Sequence, residues 1–220
     1  MVSIDQWMER LTGGLKDTFG SRLLFVGLQG SYGRGEAGED SDIDVVTVLD
    51  KLEVSDLDAY RALVRTMPEG EKACGFICGA EDLRRWPRYD LAQLGQDTVP
   101  VYGSFRELLP PRSREDLAEA ARNGASMLYH ALCHSYLYGK GLDGLQQRCK
   151  EAFFVLRALH EWRTGEYVPT RRELTQRTAG AEREILRCAM GAEPSVSPEI
   201  LMEHLLTWAK SVLEEVRNIT

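Results

Sequence analysis

The sequence is poor in the features that would assign it to a membrane, a secretory scaffold or a nucleic-acid partner. No apolar run approaches the roughly 18 residues from which a membrane-spanning helix is built, so no membrane partner is expected. Positive charge is in deficit, with 27 Lys and Arg against 34 Asp and Glu and a net of −7. Proteins that live on phosphate backbones or anionic lipid present a basic face, so no nucleic acid is expected as a partner. Cysteine is scarce and unpaired in pattern: five residues, an odd number, at 74, 78, 133, 149 and 188, with no Cys-x-x-Cys. Cys74 and Cys78 in a strand would lie roughly 13 Å apart, beyond disulfide reach. Histidine numbers only four. His130, Cys133 and His134 are the one Cys/His cluster, and they fall on a helix that needs small and apolar residues for its core, so a zinc site is not expected. The opening MVSIDQWMERLTGG reads as a short amphipathic helix rather than a leader. These readings together predict reduced thiols and a cytoplasmic location.

What is present is ordinary globular composition, 43% hydrophobic and 28% charged over 220 residues, enough for one large or two small cores. The first half alternates. Residues 22–29 (RLLFVGLQ) and 43–49 (IDVVTVL) read as strands flanking a Gly-rich polar turn over 30–41. Ser55 with Asp58 forms a capping-box pattern, and Leu57, Tyr60, Leu63, Val64 and Met67 keep helical spacing behind it. Residues 73–79 (ACGFICG) predict a third strand and 99–102 a fourth. After Pro110 and Pro111 the texture turns helical. Ser113 and Asp116 cap a long helix to about Tyr138, and a second runs from about Asp143 to Thr164 and stops at Gly165. Thr170 with Glu173 caps a short third, and Ser197 followed by Pro198 starts a last one. The expected fold class is α+β: a small mixed sheet with helices over residues 1–112, then an all-α helical bundle over 113–220.

Charge is unevenly shared. Residues 1–112 carry 13 basic and 19 acidic side chains, and residues 113–220 carry 14 and 15. Glu36, Glu39, Asp40, Asp42, Asp44 and Asp50 crowd fifteen consecutive residues without a base. Most of such a run reads as a solvated loop. Asp42 and Asp44 differ, because residues two apart in a strand project to the same side while Ile43 turns into the core. Side-by-side carboxylates are costly unless a cation sits between them, and hard oxygen ligands with open positions suit Mg²⁺ with substrate phosphate completing its shell. Gly30-Ser31, at the end of the preceding strand, offers close backbone approach and donors for an anion.

The stretch QGSYGRGEAGEDSDID resembles the nucleotidyltransferase superfamily that includes DNA polymerase β, kanamycin nucleotidyltransferase and the minimal nucleotidyltransferases. That signature is a strand, Gly-Ser, about ten residues, then Asp-x-Asp on the next strand. Here Gly30-Ser31 and Asp42-Ile43-Asp44 match it with ten residues between Ser31 and Asp42. The resemblance implies a polymerase β-like domain that moves a nucleoside monophosphate from an NTP to a hydroxyl and releases pyrophosphate. Asp42 and Asp44 would be the catalytic metal ligands for Mg²⁺, and Gly30, Ser31 and Arg34 would meet the nucleotide. The family pattern adds a third acid on a later strand, where residues 73–79 carry no carboxylate. Glu71 precedes that strand, and Glu81 and Asp82 follow it.

The run KEAFFVLRALHEWRTGEYVPTRREL resembles the C-terminal helical domain of aminoglycoside adenylyltransferases, which implies Lys150 and Arg171, with Arg172 beside it, as nucleotide-binding bases. The Arg-to-His spacing of HEPN ribonucleases is matched neither by Arg122 and His130 nor by Arg157 and His160. Three readings stay open: an enzyme modifying a small hydroxylated, antibiotic-like acceptor; a regulatory protein that modifies a protein partner; and a non-catalytic nucleotide binder. Acceptor, preferred NTP and oligomeric state, a homodimer included, are not fixed by the sequence.

Overall fold

The computed structural model describes residues 3–139 and 141–217. The chain divides into two compact units, Met1–Pro111 and Arg112–Thr220. The first runs α1 (Ile4–Phe19), β1 (Leu23–Leu28), α2 (Gly30–Gly33), β2 (Ile43–Leu49), α3 (Val54–Val64), β3 (Ala73–Gly79), α4 (Ala80–Arg85), α5 (Arg88–Asp97), β4 (Val99–Tyr102) and α6 (Phe105–Leu108). The sheet order is β3-β2-β1-β4. β1 pairs antiparallel with β2 and with β4, while β2 and β3 are parallel, joined by a crossover through α3.

β2 is apolar at both parities because both faces of the sheet are covered. Ile43, Val45 and Leu49 pack with Trp7, Met8, Leu11 and Leu15 of α1. Val46 and Val48 pack with Phe25, Cys78, Leu83, Leu91 and Phe105 on the other side. Asp44 alone in β2 is not buried. In β3, Gly75 has φ +126°, and a Cβ there would stand 2.1 Å from the Val45 carbonyl oxygen, so the centre of the β2–β3 pair requires glycine.

Arg22 ties three elements together at the far end of this sheet. Its guanidinium donates to both carboxylate oxygens of Asp56 at 2.8 Å, to Asp50 at 3.1 Å and to the Lys51 carbonyl at 3.0 Å. Asp56 also accepts from the Glu53 N–H at 2.9 Å. The helix therefore starts two residues before the predicted Ser55, with Glu53 as N-cap and a Glu53/Asp56 capping box. Two overlapping capping patterns compete here, and the charge-assisted pair from Arg22 selects the earlier one. Leu57, expected inward, is consequently exposed.

The second unit is helical throughout its described elements: α7 (Arg114–Tyr138), α8 (Leu145–Thr164), α9 (Arg171–Arg177), α10 (Gly180–Ala189) and α11 (Pro198–Glu215). Ser113 and Asp116 form the expected capping box on α7. Thr170 and Ser197 accept from the third helical N–H of α9 and α11, and α8 ends on Gly165 at φ +76°. Leu128, Leu132, Phe153, Leu156, Ile185, Leu205 and Val212 fill the core. All five cysteines are free. Among the described residues no helix is long and apolar enough to cross a membrane.

The Arg22 guanidinium holds the Asp56 carboxyl down to about 2, from an ordinary 3.8. A depressed carboxylate adds stability that is complete above its ordinary value and is lost as pH falls through its folded value. Thermal melts of Asp56→Asn against the parent chain should therefore show a deficit at about pH 5–7 that narrows as pH approaches about 2. A gap that stays constant across that window would remove this ion pair from the fold's acid stability.

Candidate active site

The site is built where β1 ends and β2 begins. β1 delivers Gln29, whose N–H donates to the Asp44 carbonyl at 2.8 Å. The chain then turns sharply at Gly30, φ +64°, into the single turn α2. A Cβ on residue 30 would lie 1.8 Å from Oδ2 of Asp44. The Asp44 carboxylate therefore sits against the Cα of Gly30, in space that only glycine leaves. Gly30 and Asp44, fourteen positions apart in the chain, are brought into contact by the β1–β2 register.

α2 is anchored from several directions. The Gly33 N–H donates to the Gln29 carbonyl at 2.9 Å, and the Glu36 N–H to the Ser31 carbonyl at 2.8 Å. Tyr32 packs against the α1 side of the core. The Gln29 side chain donates to the Leu94 carbonyl at 3.3 Å, so the end of α5 backs this turn. Ser31 heads α2, where the first N–H groups of a helical turn point outward without helical acceptors.

Asp42 is exposed and Asp44 half-buried. The Asp44 carboxyl is pushed above the usual range, first by burial and then by the charge of Asp42, with the Arg34 guanidinium pulling the other way. Arg34 itself is largely buried and pairs with Glu36 at 3.1 Å, so it braces the loop after α2 as well as placing a positive charge toward Asp44.

The register answers the question of a third acid within this unit. The β3 residue opposite Asp44 is Cys74, and Ala73 stands opposite Ile43. Cys74 is exposed, and the strand position paired with Asp44 therefore carries no carboxylate. Glu81 and Asp82 follow Gly79, which pairs with Leu49, five strand residues or about 17 Å from Asp44. Glu71 lies at the correct end, exposed in the 3-10 turn Gly70–Lys72. No group of three or more His, Cys, Asp or Glu side chains able to hold a metal occurs among the described residues. An exposed Asp42 beside a half-buried Asp44 does fit Mg²⁺, which takes one or two carboxylates and leaves the rest of its octahedron to water and phosphate.

Lys150 and Arg171 belong to the second unit. Lys150 lies on α8, half-buried, one turn before Phe153. Arg171 is the first residue of α9, its guanidinium 5.0 Å from the Phe153 ring centroid. One residue that sequence reasoning missed reaches the site's loop: Lys72, whose ammonium donates to the Glu39 carbonyl at 2.9 Å. That contact spans 33 positions and grips main chain, so no side-chain pattern announces it.

Two outcomes follow from this geometry. Gly30→Ala forces the Asp44 carboxylate off its seat, and a displacement of about 1 Å at reacting groups costs roughly a hundredfold in rate; nucleotide-dependent turnover should fall by that order in a chain that still folds. For Asp44, a raised carboxyl contributes stability below its ordinary value and loses it as pH rises through the folded one. In EDTA, Asp44→Asn should therefore melt higher than the parent at neutral pH, and the two should converge below about pH 4. Mg²⁺ should raise the melting temperature of the parent and leave that of Asp44→Asn unmoved.

A nucleotidyltransferase domain model matches residues 8–121, more than half of the chain. Among solved structures, the fold is similar to that of spectinomycin adenyltransferase AAD(9) from Enterococcus faecialis, solved with ATP and spectinomycin. The TM-score is 0.60 at 14% identity, over 97% of this chain and 99% of that one. No curated protein sequence matches. On the extent of the family match and on the Gly-Ser turn set against Asp42-x-Asp44, the chain belongs to the nucleotidyltransferase domain family.

Proposed function

We propose that this protein moves a nucleoside monophosphate from an Mg²⁺-bound NTP to a hydroxyl of a small, antibiotic-like molecule, and releases pyrophosphate. The observation that carries the reading is the seating of Asp44 on Gly30. Contact between one member of the carboxylate pair and the Gly-Ser turn supports a shared site for metal and phosphate. The likeness to an adenyltransferase solved with ATP and spectinomycin supports the same class of donor and acceptor.

Asp42 and Asp44 would hold the metal. Bound there, Mg²⁺ would supply neutralisation of the phosphate charge. Gly30 keeps the space that lets Asp44 and the backbone approach the triphosphate, and the Ser31 hydroxyl and the N–H groups opening α2 donate to its oxygens. Arg34 partly offsets the mutual repulsion of the two aspartates. Lys150 and Arg171 are the proposed basic contacts of the triphosphate. The acceptor oxygen forms a bond to the α-phosphorus as the bond to the β-phosphate oxygen breaks. Pyrophosphate leaves with that electron pair, and one proton is released overall.

A cysteine rather than an acid at the β3 position paired with Asp44 favours one second reading, a nucleotide binder without transfer activity. The deciding experiment incubates the chain with Mg²⁺ and each NTP against a panel of aminocyclitol and aminoglycoside acceptors, following pyrophosphate and acceptor mass. Transfer should give an acceptor heavier by one nucleotide, with stoichiometric pyrophosphate. The double variant Asp42→Ala/Asp44→Ala should abolish both, a loss of at least about 10³. Undiminished pyrophosphate release by that variant in a folded state would overturn the assignment. Radiolabel on a protein instead of a small molecule would move the acceptor to a protein partner, and Mg²⁺·NTP binding without any transfer would leave the binder.

A further inference from the structure

The loop between α2 and β2 carries Glu36, Glu39, Asp40 and Asp42, with Asp44 just inside β2 and no basic residue after Arg34. Left to its own electrostatics such a segment repels itself, yet its last residues must present Asp42 in a fixed place. Internal ties account for part of the order. The Gly38 N–H donates to the Ser41 hydroxyl at 2.9 Å, and the Ser41 N–H returns to the Gly38 carbonyl at 3.2 Å.

A tie from elsewhere in the chain completes it. Ala73 stands opposite Ile43 in the parallel β2–β3 pair, so Lys72 and Asp42 occupy the next positions out along neighbouring strands. From there the Lys72 ammonium donates to the Glu39 carbonyl at 2.9 Å and pairs with the Glu69 carboxylate at 2.6 Å. Glu69 is the one non-glycine residue among those described with positive φ, +51°. That conformation disfavours an ordinary side chain, and here it turns the Glu69 carboxylate back onto Lys72. Glu69 thus fixes the lysine, and the lysine fixes the loop.

We propose that Lys72 is a positioning residue for the metal–nucleotide site: held by Glu69, it straps the acidic loop through the Glu39 main chain and so sets where Asp42 stands. The proposal rests on the nucleotidyltransferase reading above and adds to it a residue outside the Gly-Ser and Asp-x-Asp elements. Its grip needs a long cation at position 72 and is indifferent to the side chain at position 39, because the acceptor is a carbonyl.

The test measures Mg²⁺·ATP affinity by calorimetry and hydrogen exchange of residues 36–42 on the full chain, for the parent, Lys72→Met, Lys72→Arg and Glu39→Ala. Lys72→Met should bind Mg²⁺·ATP roughly tenfold more weakly, because binding must then order the freed loop, with faster exchange confined to residues 36–42 and the rest of the chain protected as in the parent. Lys72→Arg should recover most of the affinity, and Glu39→Ala should match the parent. Parent-like affinity and exchange in Lys72→Met would overturn the strap, as would Glu39→Ala behaving like Lys72→Met. If the parent itself fails to bind Mg²⁺·ATP, the functional reading falls and the exchange data still decide whether Lys72 orders the loop.

Discussion

Two like charges held side by side, one of them half-buried, are the constraint on which the first unit turns. Burial and the neighbouring Asp42 both work against ionisation of Asp44. A folded chain keeps such a pair only if the surroundings are rigid enough to forbid escape. Gly30 gives the carboxylate its seat, the Gln29–Asp44 main-chain bond fixes the strand end, and Arg34 supplies partial compensation. In the proposed function that cost is relieved when a cation arrives between the two carboxylates. This is the usual relation between local strain and function, in which the surrounding structure over-determines an unfavourable element.

The sheet explains how that element is held. β2 is sandwiched between the α1 side and the α4–α6 side, so every residue of it except Asp44 is buried. A central strand with two apolar faces cannot slip register without exposing half of its core, and Asp42 and Asp44 inherit that fixity. At the opposite end of the same strand Arg22 clamps Asp50 and Asp56. One end of β2 is thus locked by an ion cluster of both signs, and the other carries two neighbouring acids that Arg34 compensates only in part. The two ends have opposite electrostatic purposes, and one rigid strand connects them.

Much of this was legible in the residues. The strands over 43–49, 73–79 and 99–102 coincide with the structure, and β1 is shorter than its prediction by one residue at each end. The capping boxes and terminators of α7, α8, α9 and α11 were readable because caps and glycine stops are local chemistry. Other elements were not readable. α4, α5 and α6 are short and weakly periodic, and their apolar residues are selected by the sheet face they cover. The start of α3 was misplaced because Glu53/Asp56 and Ser55/Asp58 are equivalent on local grounds, and a guanidinium more than thirty residues upstream decides between them.

The sequence by itself determined the chemistry available: a glycine-serine turn, an Asp-x-Asp pair at strand spacing, an acidic first half, and a later strand without a carboxylate. Each of these is a property of residue type and of short separation, which periodicity and local sterics convert into geometry. Only the tertiary structure decided that Asp44 rests on Gly30, that Cys74 is the residue opposite it, that Glu81 and Asp82 are carried to the wrong end of β3, and that Lys72 reaches the acidic loop. These are contacts between segments distant in the chain, set by strand order and register. Register follows from which apolar faces the helices cover, a sum over the whole core that no local pattern contains.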